Sequence, residues 1–425
     1  GVVFLAAALW LGVYFVTDTS HRRAHDKLLS GHTETALGLL HFTATREPVF
    51  FLHRGRMGRA ELLDAFRETG QLVHTRLAWT LDLEHPVFSS PAGDARYFYI
   101  GNAYGSLFKV ETSTGKIVWR YDTNSGIETR PLPVGDTVFL SAHDGIHAIN
   151  TENGVRKWRT VARWVESSPA YASGTVFVGT DTGEMLALRE DDGGARWEFM
   201  ADGPVESSPT VAGGNVYFGC NAGVLYTVRA DTGRLVWRKD LGAKIEGQPL
   251  VYSAAGDAQG VHGREGNAED NGIHDNAARA QSGYGNLFLY AGTAAGVLYA
   301  VDPDTGGVIW KKDLRGPIEG SPAAAGGAVF VGTMKRDAFR LDAVTGEVIW
   351  MREDLGRVES RPEIDGKTVY IGTHFGFLYA LDAATGKTRW RFLMGWDVDE
   401  SSPLSTGGLV LIGNLDGRVY AFRTD

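Results

Sequence analysis

From about residue 75 onward, apolar residues fall in runs of five or six that alternate with polar ones and stop at Gly, Asp, Asn or Thr. Two phrases recur. The first is seen in VESSPTVAGGNVYFGCNAGVLYTV (Val205 to Val228) and VESRPEIDGKTVYIGTHFGFLYAL (Val358 to Leu381). It reads as strand, glycine turn, strand, short loop, strand. The second follows it, as ALDAATGKTRW ending at Trp390 or TVRADTGRLVW ending at Trp237. It predicts a tight turn and a further strand carrying the tryptophan. Each unit therefore gives four strands, A to D. The tryptophans Trp79, Trp119, Trp158, Trp197, Trp237, Trp310, Trp350 and Trp390 recur at steps of 39 or 40 residues, with one longer step of 73. Four strands per unit of about 40 residues is the pattern of a β-propeller blade.

The glycine four residues before tryptophan stands at Gly115, Gly154, Gly193, Gly233, Gly306, Gly346 and Gly386. A turn that needs φ > 0 selects glycine there, and Asp, Asn and Thr before it can bond the local backbone. The residues Pro91, Pro131, Pro169, Pro209, Pro249, Pro322, Pro362 and Pro403 mark strand A in eight units. The chain reaches Asp425 without a last tryptophan strand, whereas RLAWTLDL (Arg76 to Leu83) has the tryptophan but no strands before it. Pairing the two ends closes the ring and removes open edges. The expected fold is all-β: an eight-bladed propeller of four-stranded antiparallel blades over 75–425, with the eight tryptophans as a girdle joining blades.

The phrase A-x-D-x-x-T-G-x-x-x-W resembles the tryptophan-docking repeat of the pyrroloquinoline-quinone-like propeller superfamily. The resemblance covers about 350 residues and implies one of two branches. The quinoprotein alcohol dehydrogenases use pyrroloquinoline quinone (PQQ) with calcium and typically carry a vicinal Cys-Cys pair. Cys220 is the single cysteine here, and seven of the eight units are near minimal length, so no cofactor is expected. The BamB-type outer-membrane assembly propellers are non-catalytic and imply envelope proteins as partners.

Outside the propeller, residues 1–16 (GVVFLAAALWLGVYFV) are uncharged and apolar, short of the ~20 needed to span a bilayer. They read as a truncated transmembrane anchor, with a signal-peptide core or a buried helix as alternatives. Residues 17–74 read as a stalk, with Leu62, Leu63 and Phe66 at helical spacing in a short helix from Arg59 to Thr69. The run Glu47 to Arg59 reads as stalk packed on the propeller rather than a membrane contact. Together with the resemblance, the anchor implies a bacterial inner-membrane protein whose propeller faces the periplasm. A polar insertion at 254–282, entering between strands A and B, reads as a loop. Its His262 and His274 match no zinc spacing. The net charge of −9 excludes a general nucleic-acid binder.

Two candidate sites follow from the repeat. An acid precedes the strand A proline by three residues at Glu128, Glu166, Glu206, Glu246, Glu319, Glu359 and Glu400, while Phe88 takes that place in the first unit. Strand A is innermost in a propeller, so these residues are expected as an acidic ring at one channel mouth. Like charges so close raise one another's pKa unless neutralised. The ring is a candidate cation or basic-ligand site; alternatively its acids pair with backbone amides or with Arg130 and Arg361. The loops on the same face carry Trp164, Trp396, Tyr104, Phe375, Arg163, Arg315, Arg357, Lys335 and Arg336, a candidate partner face. No serine elbow, phosphate loop, HExxH or metal motif is present. The expectation is a non-catalytic, membrane-tethered interaction scaffold in envelope or outer-membrane protein assembly. A sensor ectodomain and a quinoprotein dehydrogenase are the alternatives.

Overall fold

A computed structural model describes residues 23, 25–31, 59–162, 164–254, 287–394 and 396–424. Eight four-stranded antiparallel sheets are present among them. We number the blades from the one that opens with Ala92–Gly93. Seven blades run A-B-C-D in chain order. The eighth takes its outermost strand, β1 (Leu77–Asp82), from the other end of the chain. β1 pairs antiparallel with Arg418–Arg423, in the register Thr80 to Tyr420 and Asp82 to Arg418. Both termini thus complete one blade, as the unmatched ends of the sequence predict.

The hydrophobic pattern explains the layering. Strands B and C are buried on both faces, as in Thr175–Gly179 and Asn215–Gly219. Strand D alternates exposed and half-buried positions, because only one of its faces meets a neighbour. The core consequently lies between blades: Phe98 and Ile100 of blade 1 cluster with Leu411 and Val419 of blade 8. Glycines that end strand B allow this contact. A Cβ on Gly219 would stand 2.3 Å from Ile245 of the next blade, and one on Gly332 would stand 2.1 Å from Val358.

The tryptophans lie on strand D and tie each blade to the next. Trp119 Nε1 donates to the Thr151 carbonyl (3.0 Å), Trp197 to Ala230 (2.9 Å) and Trp310 to Ala343 (3.2 Å). Trp390 meets Phe422 of the eighth blade instead, at 5.7 Å, with the Arg76 guanidinium 5.9 Å from its ring. No glycine turn exists there, since strands C and D of that blade come from opposite ends of the chain.

The helix before the ring, α1 (Arg59–Thr75), runs six residues beyond its expected end. Ala65 and Thr69 form its buried side. The side chains of Leu62, Leu63 and Phe66, and the residues of the expected anchor 1–16, lie outside the described set, as do most of residues 17–58 of the stalk, with the run from Glu47 up to Arg59, and residues 255–286, which hold His262, His274 and all of the insertion but Ala254. No described helix is long and apolar enough to cross a membrane. α1 crosses the outermost strand of blade 7 (Thr388–Leu393). There the Leu393 N–H donates to Thr69 Oγ1 (2.9 Å), and His25 Nε2 lies 3.2 Å from the Leu393 carbonyl. Polar side chains thus satisfy backbone groups at an otherwise open sheet edge.

Candidate functional site at the channel mouth

Because every blade turns from D to A at the same end, the acid before each strand A faces the axis at that end. All seven ring glutamates line one cavity of about 300 Å³, together with Arg130, Arg361 and a tier of serines. The tier is stitched by bonds across blade boundaries: Arg130 N–H donates to Ser168 Oγ (3.0 Å), Ser168 N–H to Ser208 Oγ (2.9 Å) and Ser402 N–H to Ser90 Oγ (2.8 Å). The carboxylates therefore stand beside a tier of hydrogen bonds that crosses several blade boundaries.

Neutralisation of the ring involves groups that the sequence reading did not name. Arg130 and Arg361 line the same cavity, and both act on Glu363. Three partners of the ring come from the loop between strands B and C, 15 residues after the glutamate. His143 Nε2 lies 3.3 Å from Glu128 Oε2, Asn221 Nδ2 donates to Glu206 (2.5 Å), and His374 Nε2 lies 2.7 Å from Glu359. Lys244 Nζ bridges Glu206 (2.8 Å) and Glu246 (2.6 Å). The sequence signal was the residue just after strand B, which varies among His, Asp, Asn, Ala, Met and Leu while its surroundings repeat.

Electrostatics follow from crowding. Burial, and then Glu128, Asp399, Glu359 and Glu166, push Glu400 up to about 8. Its side chain opens to the cavity, but the neighbouring acids surround it. Burial raises Glu359 to about 7 although His374 pulls it down. Burial would lower His374, yet Asp399 and Glu359 hold it up at about 10. Burial and Glu206 raise both Glu166 and Asp181. Lys244, despite burial, is held above its usual value by Glu206 and Glu246. The mouth as a whole favours positive charge.

The aromatic side chains expected on this face stand on the same loops but do not form one patch. Trp164 is 55% exposed and rests on the His143 ring, centroids 4.8 Å apart, over the junction of blades 2 and 3. Its φ of 50° is unusual for so bulky a residue. Tyr104, 71% exposed, stacks on His85 at 3.9 Å in blade 1. Phe375 is half-buried beneath the Arg336 guanidinium, 4.9 Å away. Trp396 is half-buried, with its backbone N–H donating to Asn414 Oδ1 (3.2 Å). Arg357, Arg315 and Lys335 are exposed, and Arg163 lies outside the described residues.

Among the described residues, three groups of donors converge within 4.8 Å: Glu128–His143–Glu166, Glu359–His374–Asp399 and Glu166–Asp181–Glu206. The family model described as Outer membrane protein assembly factor BamB matches residues 63–167, 160–260 and 294–425. The chain belongs to the BamB-type family of PQQ-like propellers.

BamB of Shewanella oneidensis is 25% identical over 107 residues, covering 24% of this chain and 27% of that protein. BamB of Nitrosomonas eutropha is 30% identical over 115 residues, covering 27% and 28%. The chain therefore spans less than a third of the length of these curated relatives. Among solved structures, BamB from Moraxella catarrhalis superposes with a TM-score of 0.64 at 16% identity, over 82% of this chain and 99% of that one. The quinohemoprotein alcohol dehydrogenase of Comamonas testosteroni gives 0.63 at 14% identity, over 82% and 76%. At such identities the superpositions show a shared fold alone.

Proposed function

We propose that this chain is a non-catalytic protein-interaction scaffold of the bacterial envelope, acting in outer-membrane protein assembly through its channel-mouth face. The observation that carries this reading is the pair of exposed aromatics, Trp164 and Tyr104, on loops held rigidly around an acidic mouth. The Trp164 N–H donates to the His143 carbonyl (3.1 Å), and its own carbonyl accepts from Asp181 N–H (3.1 Å). A large aromatic held out to water on a fixed backbone does nothing for blade packing, whereas such residues anchor protein interfaces at little entropic cost. Membership of the BamB-type family supports outer-membrane assembly proteins as the partner class.

Crosslinking in envelope preparations, followed by co-purification, tests this. Trp164→Ala with Tyr104→Ala should leave the melting temperature unchanged and abolish recovery of the partner. Undiminished recovery would remove the mouth as the docking face. Quinone chemistry is tested separately, by reconstituting purified protein with PQQ and calcium and assaying dye-linked alcohol oxidation. No turnover is expected.

A further inference from the structure

The repeat builds similar three-donor groups at two places, with the ring acid Glu166 as third donor in one and Asp399, the residue before ring acid Glu400, in the other. At the junction of blades 2 and 3, the donors are ring acid Glu128, His143 fifteen residues later, and Glu166 from the loop entering the next blade. At the junction of blades 7 and 8 they are Glu359, His374 at the same spacing, and Asp399 from the loop entering the next blade. The donor atoms point at one another: His374 Nε2 is 2.7 Å from Glu359 Oε2 and 3.0 Å from Asp399 Oδ1, and His143 Nε2 is 3.3 Å from Glu128 Oε2.

Each histidine is fixed by its backbone. The His374 N–H donates to the Arg357 carbonyl (3.0 Å), while the His143 carbonyl accepts from Trp164 N–H and its ring lies against the Trp164 indole. The side chains of Glu359, His374 and Asp399 are 18%, 19% and 27% exposed, sheltered but reachable from the cavity. The remaining junctions sharpen the contrast. Between blades 4 and 5 the chain supplies its own cation, the Lys244 ammonium, between two ring acids. Phe88, Ala103 and Leu415 offer no donor at the equivalent places in blades 1 and 8.

We propose that these two junctions each bind one divalent metal ion of the zinc class, through Glu128, His143 and Glu166 in one and Glu359, His374 and Asp399 in the other. One imidazole with two carboxylates is a donor set that such ions accept, with the remaining positions left to water. The ligands escape a motif search because they come from two blades and three loops. The third convergent group, Glu166–Asp181–Glu206, is no separate site: it shares Glu166 with the first and Glu206 with Lys244. This inference is independent of partner binding.

Calorimetric titration of chelator-treated full chain with zinc chloride, and titration with Co²⁺ followed by its visible absorption, test it. Two ions per chain are expected. His143→Ala and His374→Ala should each reduce the count to one, the double variant to none, and Glu319→Gln should leave it at two. Circular dichroism melts establish that each variant is folded. Should His143→Ala not fold, Glu128→Gln replaces it and must lower the count equally. No binding by wild type, or two ions still bound by the double variant, overturns the proposal; the second result would assign the ions to surface acids.

Discussion

Trp197 lies flat against Gly233 of the following blade, so closely that a Cβ on that glycine would stand 2.7 Å from the indole. The glycine also has φ of 68°. Two demands, a left-handed turn and the face of the neighbour's tryptophan, thus meet in one residue, and the same pair recurs at seven of the eight blade boundaries.

Separating those demands gives a first prediction. Gly366 has φ of 56° and nothing within 4 Å of an added Cβ. Gly366→Ala should cost only about 1 kcal/mol, the backbone penalty alone. Gly233→Ala should cost about 2–4 kcal/mol, because the indole must also move. Urea unfolding of the two variants decides; equal losses would mean that the tryptophan contact does not constrain the glycine.

Removing the ring itself is costlier. Trp237 donates to the Pro303 carbonyl (2.9 Å) and packs on Gly306. Trp237→Ala should lose about 3–5 kcal/mol by the usual large-to-small cost. A loss below that of Gly366→Ala would contradict the girdle.

Lys244 should matter through charge. Its ammonium is about one-third exposed, so screening reduces the effect, and Lys244→Met should cost about 1 kcal/mol. Adding Glu206→Gln and Glu246→Gln should restore part of that stability, since the acids left unpaired are then neutral. Additive losses across this cycle would show that Lys244 does not neutralise the ring.

Stability should also depend on pH through blade 2. His147 is buried, with Tyr121 Oη 2.9 Å from Nδ1 and Asp144 Oδ1 3.0 Å from Nε2. Burial holds its imidazole below the ordinary histidine range, even though Asp144 opposes this. An unfolded histidine takes up a proton near pH 6.5 that folded His147 refuses. Stability is therefore lost as pH falls below about 6.5. Asp144 adds a second loss in acid: burial would raise it, but His147, Ser125 and Arg159 hold it low, so its contribution disappears as pH falls through that depressed value. His147→Gln should flatten the change between pH 7 and pH 5 in urea titrations, and an unaltered slope would exclude His147 as the source.

The N-terminal helix offers a last test. Thr69→Val removes the acceptor for the Leu393 N–H and should cost about 1–2 kcal/mol. Hydrogen exchange should show the loss as faster exchange at Leu393, with the strands of blades 3 and 4 unaffected. Uniform acceleration would mean that α1 supports the whole ring instead of one edge.

The number of blades, the order of strands and the closure by both ends are legible in the chain alone. These depend on short-range periodicity and turn chemistry, which each repeat states afresh. The chain also locates the ring acids, because an innermost strand repeated about one axis leaves its residues little choice of place. What those acids touch depends on how the loops pack in three dimensions. Arg130 and Arg361, two residues from Glu128 and Glu359, line the same cavity and also act on Glu363. His143, Asn221 and His374 reach the ring from loops two strands removed, and Lys244 reaches Glu206 from the loop that enters the next blade. Pairing of that kind is set by where loops cross in space, and a one-dimensional pattern carries no record of those crossings.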